Sequence, residues 1–94
     1  MKEREYVVIC NRYRGIAGSL LFWGSHTEDY EKRSFGGYTS DLDSCERYTK
    51  EEIENSSYKF PFYVSKDNYK KFDDIAIKVK QLKRLGTKMT IIYR

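Results

Sequence analysis

The run Tyr6-Val-Val-Ile-Cys10 has no charged or strongly polar side chain at any position. Side chains along a strand alternate between faces, so a run without a polar face predicts a central strand covered on both sides. Ser19-Leu-Leu-Phe-Trp23 predicts a second strand. Glycines at 15 and 18 place the connecting loop at residues 13–18, which makes residues 5–23 an antiparallel hairpin ended by Gly24.

Residues 25–37 are polar, charged and glycine-terminated, with neither helical nor strand periodicity, and predict a long loop holding His26, Lys32 and Arg33. Loops of this length inside small domains tend to be functional. After a short extended or turn segment that starts at Tyr38, Thr49 and Glu52 have the T-x-x-E spacing of a capping box and predict a short helix over residues 50–55. Residues 60–64 predict a third strand, which Pro61 confines to an edge or to its own start. Phe72, Ile75, Ala76, Val79 and Leu82 recur at intervals of three and four, which predicts a longer C-terminal helix capped by Ser65 and stopped near Gly86. Alternation over residues 87–93 predicts a closing strand. The expected fold is therefore α+β: one domain over residues 1–94, with a small antiparallel sheet of about four strands, one short helix and one longer C-terminal helix packed on it.

A chain of 94 residues builds only a thin core, and nine Tyr, five Phe and one Trp are more aromatic surface than such a core is expected to hide. Some of those rings are expected at a subunit interface or in a ligand pocket. The net charge of +4 is unevenly spread: residues 1–65 hold nine Lys and Arg against eleven Asp and Glu, whereas residues 66–94 hold nine against three. The basic third suits either a solvated helix face or a phosphate-bearing partner. Met1 leads into Lys-Glu-Arg-Glu, with no signal-peptide pattern, and only Cys10 and Cys45 could form a disulfide, so a reducing cytoplasm is expected. No apolar window approaches the roughly 18 residues of a membrane span, and no membrane association is expected.

One histidine and two distant cysteines supply no metal-ligand spacing, and neither phosphate-loop, nucleophile-elbow nor zinc-protease motifs occur. No cofactor, metal or catalytic residue is expected. Asp41 and Asp43 would lie on one side of an extended segment and, with His26, are the remaining acid/base candidates. Asp beside Thr39 and Ser40 equally suits a turn in which its carboxylate accepts from backbone amides.

Three segments stand out: Phe22-Trp-Gly24, Gly37-Tyr-Thr-Ser-Asp-Leu-Asp43 and Tyr48-Thr-Lys-Glu-Glu52. They resemble a widespread group of small phage and bacterial proteins carrying F-W-G, a short loop, G-Y-T-x-D-L-D and Y-T-x-E-E, a group connected with the phage anti-CBASS sponges. The resemblance covers about residues 5–55, with a longer loop after Gly24 and with Ser44-Cys45 where a small pair is common. It implies an immune-evasion protein that captures cyclic di- or oligonucleotide second messengers without cleaving them, in the host cytoplasm if phage-encoded, as a dimer or tetramer with ligand near an interface.

Under that reading Trp23, Tyr38 and Tyr48 would stack on bases, and Gly24 and Gly37 would let a guest approach the backbone. Thr39, Ser40 and a cation such as Lys32, Arg33 or Arg47 would meet phosphate oxygens. Each has a structural role open to it as well. Trp23 closes an apolar run and suits the core, Gly37 suits a turn, and the cations suit solvent. The alternative is a small inhibitor that binds a host protein through an aromatic surface. Nucleic acid ranks behind both as a partner, because the basic residues are expected along one helix without interleaved exposed aromatics and the N-terminal part is acidic.

Overall fold

The computed structural model describes residues 4–12, 20–28, 30–65 and 71–84. Its elements are β1 (Tyr6–Cys10), β2 (Leu21–Trp23), β3 (Tyr38–Thr39), α1 (Lys50–Asn55), β4 (Asp74–Lys78) and α2 (Val79–Arg84). The sheet runs β3-β2-β1-β4 with every neighbouring pair antiparallel. The chain has the expected α+β architecture, with β1 at the centre. The 13–18 loop and the 87–93 strand lie outside the described residues.

All five β1 side chains are buried, and they divide by face. Val7 and Ile9 point to one side, where they meet Leu20, Phe22, Cys45, Ile75, Ile77, Val79 and Leu82. Tyr6, Val8 and Cys10 point to the other, against Trp23, Tyr48, Ile53, Phe60 and Ala76, with Phe35 and Phe62 at the margin. The first core is mainly aliphatic and is closed by α2; the second is rich in aromatics and takes Ile53 from α1. One strand thus anchors both layers.

α1 begins where its capping box requires. The Thr49 hydroxyl accepts from the Glu52 amide at 3.1 Å, and Glu52 Oε1 accepts from the Thr49 amide at 2.8 Å. Two of the amides that a helix start leaves without partners are thereby satisfied. The helix ends at Ser56, whose amide and hydroxyl both donate to the Ile53 carbonyl.

Two expectations are corrected. Where the longer C-terminal helix is expected there is a strand followed by a helix: Asp74–Lys78 pairs along the whole of β1, from Tyr6↔Lys78 to Cys10↔Asp74, and among the described residues of this segment only Val79–Arg84 is helical. Ile75, Ala76 and Ile77 are all buried because β4 is covered on both faces, and a doubly buried strand places apolar residues at helical intervals by coincidence. Phe72, the first member of the supposed stripe, is 42% exposed. The strand expected over residues 60–64 reduces to a single parallel bridge, Phe62↔Ala76, in which the Pro61 carbonyl accepts from Ala76 N–H and Tyr63 N–H donates to the Ala76 carbonyl, each at 2.8 Å. Pro61 has no amide to extend that ladder, and Lys59 bends the chain before it with φ 54°.

Strand and helix make opposite demands on two residues. Ile77→Ala is expected to cost about 3 kcal/mol in urea unfolding and Phe72→Ala less than about 1. The reverse order would return residues 72–82 to a helical stripe.

Candidate functional site

β3 is joined to β2 by two residue pairs, Phe22↔Thr39 and Trp23↔Tyr38, which sets the Trp23 and Tyr38 rings side by side on the aromatic face. Three rings meet Trp23 edge-on: Tyr38 at 5.7 Å between centroids, Tyr58 at 5.1 Å and Phe60 at 4.9 Å. Trp23 itself is only 6% exposed, whereas Tyr38 and Tyr58 are 44% and 53% exposed. The tryptophan is a floor, and the aromatic area offered to solvent belongs to the two tyrosines. Tyr58 also stacks on Phe60 at 5.4 Å, which holds its ring in place.

Polar groups fix the same corner. Trp23 Nε1 donates to Asp74 Oδ1 at 3.0 Å, so β2 is tied across β1 to the start of β4. The other Asp74 oxygen lies 3.6 Å from Arg12 Nη2, and that nitrogen donates to the Tyr38 hydroxyl at 3.2 Å. Burial raises the Tyr38 phenol above its usual range, with Cys10 and Asp74 acting in the same direction and Arg12 against it.

The remaining sequence-derived site residues divide between surface and interior. Tyr48 is fully buried: its ring stacks on Phe35 at 4.9 Å, its hydroxyl donates to the Ser34 carbonyl, and burial raises its pKa far above the phenolic range. It has no face left for a base. Gly24 combines φ +78° with crowding, since a Cβ there would lie 2.5 Å from Ser34 O and 2.8 Å from Glu46 Cβ. Its missing side chain makes room for the protein's own loop. Gly37, at φ +77° with open space around it, serves the turn into β3 and stays accessible.

Arg33 and Arg47 both turn inward. Arg33 donates to the carbonyls of Glu28 and Glu31 and pairs with Glu52 at 3.3 Å, while Arg47 donates to the Leu42 carbonyl at 3.2 Å. Lys32, His26 and Ser40 are exposed and Thr39 is half-buried. Thr39 Oγ1 accepts from Asp41 N–H at 3.1 Å, and Asp41 accepts in turn from Asp43 N–H at 3.1 Å and from the Ser44 hydroxyl at 2.6 Å. The Ser44 bond, followed by that from Asp43, holds the Asp41 carboxyl below its ordinary value. Asp41 thus has the turn role that its neighbours allowed. Among the described residues no three His, Cys, Asp or Glu side chains gather as a metal site, and no helix is long and apolar enough to cross a membrane. Cys10 and Cys45 are free thiols in separate cores, and burial pushes Cys45 up to about 11.

Glu46 organises the long loop, and nothing in its sequence surroundings marks it. Its carboxylate is fully buried and pairs with Arg4 at 3.0 Å. It accepts from Ser34 N–H at 2.9 Å, Arg47 N–H at 3.0 Å, Thr27 N–H at 3.3 Å and the Thr27 hydroxyl. Burial pushes its pKa up, but the bonds from Ser34, Thr27 and Arg47 together outweigh that push and leave it below the ordinary value. The usable clue lay in the loop rather than in Glu46: an irregular segment of this length needs partners for its amides, and a carboxylate can serve several at once.

Comparison with known protein families, curated proteins and solved structures finds no significant match for this chain.

Replacing Glu46 by Gln would set an amide NH2 among groups of which all but the Thr27 hydroxyl can only donate, and Glu46→Gln is expected to destabilise the fold by about 3 kcal/mol at neutral pH. Because the folded carboxyl titrates below its unfolded value of 4.5, its contribution is complete above that pH and is lost as pH falls through the folded value. Urea unfolding of both proteins along a pH series should therefore show the gap narrowing below about pH 4.5. Asp41 is shifted in the same direction in both proteins and cancels from the difference.

Proposed function

We propose that this protein is a sponge: it captures a cyclic di- or oligonucleotide on the Tyr38–Trp23–Tyr58 corner and holds it without cleaving it. The observation that carries this reading is the pair of half-exposed tyrosines flanking an immobile tryptophan. Flat rings on a fixed floor suit the faces of nucleobases, and each base stacked in this way contributes about 1–3 kcal/mol in single-strand binders. Tyr58 takes the stacking role that the sequence suggested for Tyr48. Around Tyr38, the Thr39 and Ser40 hydroxyls, the accessible Gly37 backbone and the exposed Arg12 guanidinium supply donors for phosphate oxygens. A two-fold symmetric ligand fits a pocket shared by two copies of this corner, so the capturing species is a dimer or tetramer. Immune evasion in the host cytoplasm follows from such capture and from the resemblance to the anti-CBASS sponges.

A second reading is favoured by the inward turn of Arg33 and Arg47, which removes two cations from the phosphate-binding set. The same tyrosines would then anchor a host protein, since interface centres are enriched in Tyr and Trp.

Titration calorimetry against a panel of cyclic di- and trinucleotides separates the two. Capture predicts a dissociation constant below about 10 μM, equivalent to roughly −7 kcal/mol, and chemically intact ligand after heat release. Tyr38→Ala and Tyr58→Ala should each weaken binding by about 5- to 150-fold while leaving the fold intact. If no cyclic nucleotide binds and a stoichiometric host protein is retained through the same two tyrosines, the second reading replaces the first.

A further inference from the structure

Four of the nine Lys and Arg of residues 66–94 fall within the seven positions 78–84. Lys78 ends β4, and Lys80, Lys83 and Arg84 follow on α2; all four are exposed. At 100° per residue, positions 80, 83 and 84 fall within about 100° of one another on the helix, beside the stripe of buried Val79 and Leu82. None of the four makes an ion pair among the described residues, and Glu5, whose carbonyl accepts from Val79 N–H at 2.8 Å, makes none with them. The arginines at 4, 12, 33 and 47 instead all face a carboxylate within 4 Å.

Helix stability accounts for only part of this placement. Lys83 and Arg84 suit the negative end of the helix dipole, but Lys80 lies in the first turn and Lys78 just ahead of it, where a cation is unfavourable. α1 follows the ordinary rule, with Glu51 and Glu52 in its first turn, whereas the first turn of α2 has no acid. The fold therefore keeps four mutually repelling charges at some cost to α2.

We propose that Lys78, Lys80, Lys83 and Arg84 form a docking surface for the phosphate backbone of nucleic acid. A duplex carries one negative charge per about 1.7 Å of its axis and can neutralise all four cations together. A membrane surface fits less well, because an interfacial helix needs its apolar face free and the apolar residues of α2 are spent on the core. This surface is separate from the aromatic corner: β4 runs from Asp74, which holds Trp23 Nε1, to Lys78 at its opposite end. Nucleic acid stands third among the partners expected from the sequence because the basic residues fall on one helix without interleaved exposed aromatics and the N-terminal part is acidic.

Fluorescence anisotropy of a labelled 20-base-pair duplex and a 20-nucleotide single strand tests this at 50 and 200 mM salt. The wild-type protein should bind at 50 mM salt with a dissociation constant below about 100 μM and weaken by at least about 40-fold at 200 mM, the loss expected for three helix-borne phosphate contacts on a duplex. Lys80→Gln/Lys83→Gln/Arg84→Gln should reduce the log–log salt slope by about 3 and weaken binding at 50 mM at least tenfold. Lys80→Arg/Lys83→Arg should preserve it. Circular dichroism checks that the exposed substitutions leave the fold unchanged, and cyclic-nucleotide titration of the Gln variant should match wild type if the two surfaces are independent. No binding at 50 mM, an unchanged slope in the Gln variant, or cation-dependent binding to phosphatidylserine vesicles but not to nucleic acid would each overturn the proposal.

Discussion

β1 is the strand on which everything else rests. It pairs with β2 on one side and along its full length with β4 on the other, and its five side chains supply both cores alternately. A small domain cannot bury enough surface in a single layer, so covering one strand on both faces is an economical route to a folded chain. It also suits helices as short as α1, with its six residues, and α2 as described over Val79–Arg84. Neither has to stand alone, because each contributes its buried residues to a face already defined by β1.

Where regular structure is lacking, a buried charge replaces it. Residues 25–34 have few backbone bonds of their own, yet Glu46 accepts from Thr27 and Ser34, Tyr48 donates to the Ser34 carbonyl, and Gly24 leaves the space in which these groups meet. Glu52 extends the arrangement, capping α1 with one oxygen and pairing with Arg33 through the other. The loop is thus fastened at both ends to the segment carrying α1. A carboxylate in this position is costly to desolvate, and only the number of donors converging on it makes it stabilising. Loop 25–34 is part of the scaffold that positions the aromatic corner.

Features governed by neighbours in the chain were legible in the sequence. The Thr49–Glu52 box located α1 to the residue, and the apolar run at 6–10 identified the central strand, because both signals are local. The failures came where local pattern is degenerate. Ile75-Ala-Ile77 satisfies a helical stripe and a doubly buried strand equally, and only the partner strand decides between them. Two β-branched residues in three and the Asp73-Asp74 pair before them were the available hints. At the candidate corner, Tyr38 stands out in the sequence by its motif, whereas Tyr58 is brought to Trp23 by the chain reversal after α1, and Glu46 acquires its role mainly from residues 12, 19 and 42 positions away.

The aromatic excess has a structural answer that also bears on binding. Tyr6, Trp23, Tyr48 and Phe60 are buried, and Phe35 and Phe62 pack against them, so the second core takes six of the fifteen aromatic rings. Trp23 sits between that core and the surface, with its ring contacted by Phe60 from within and by Tyr38 and Tyr58 from without. Its indole N–H is already bonded to Asp74, so it neither reorients nor offers a hydrogen bond to a guest. A flat ligand settling on the two tyrosines would therefore meet a surface whose rotamers are largely fixed beforehand, and little ordering cost would be charged against its stacking energy. On the proposed capture of a nucleotide, any preference among bases would come from the polar groups around Tyr38, because the tryptophan beneath it has no polar atom left to give.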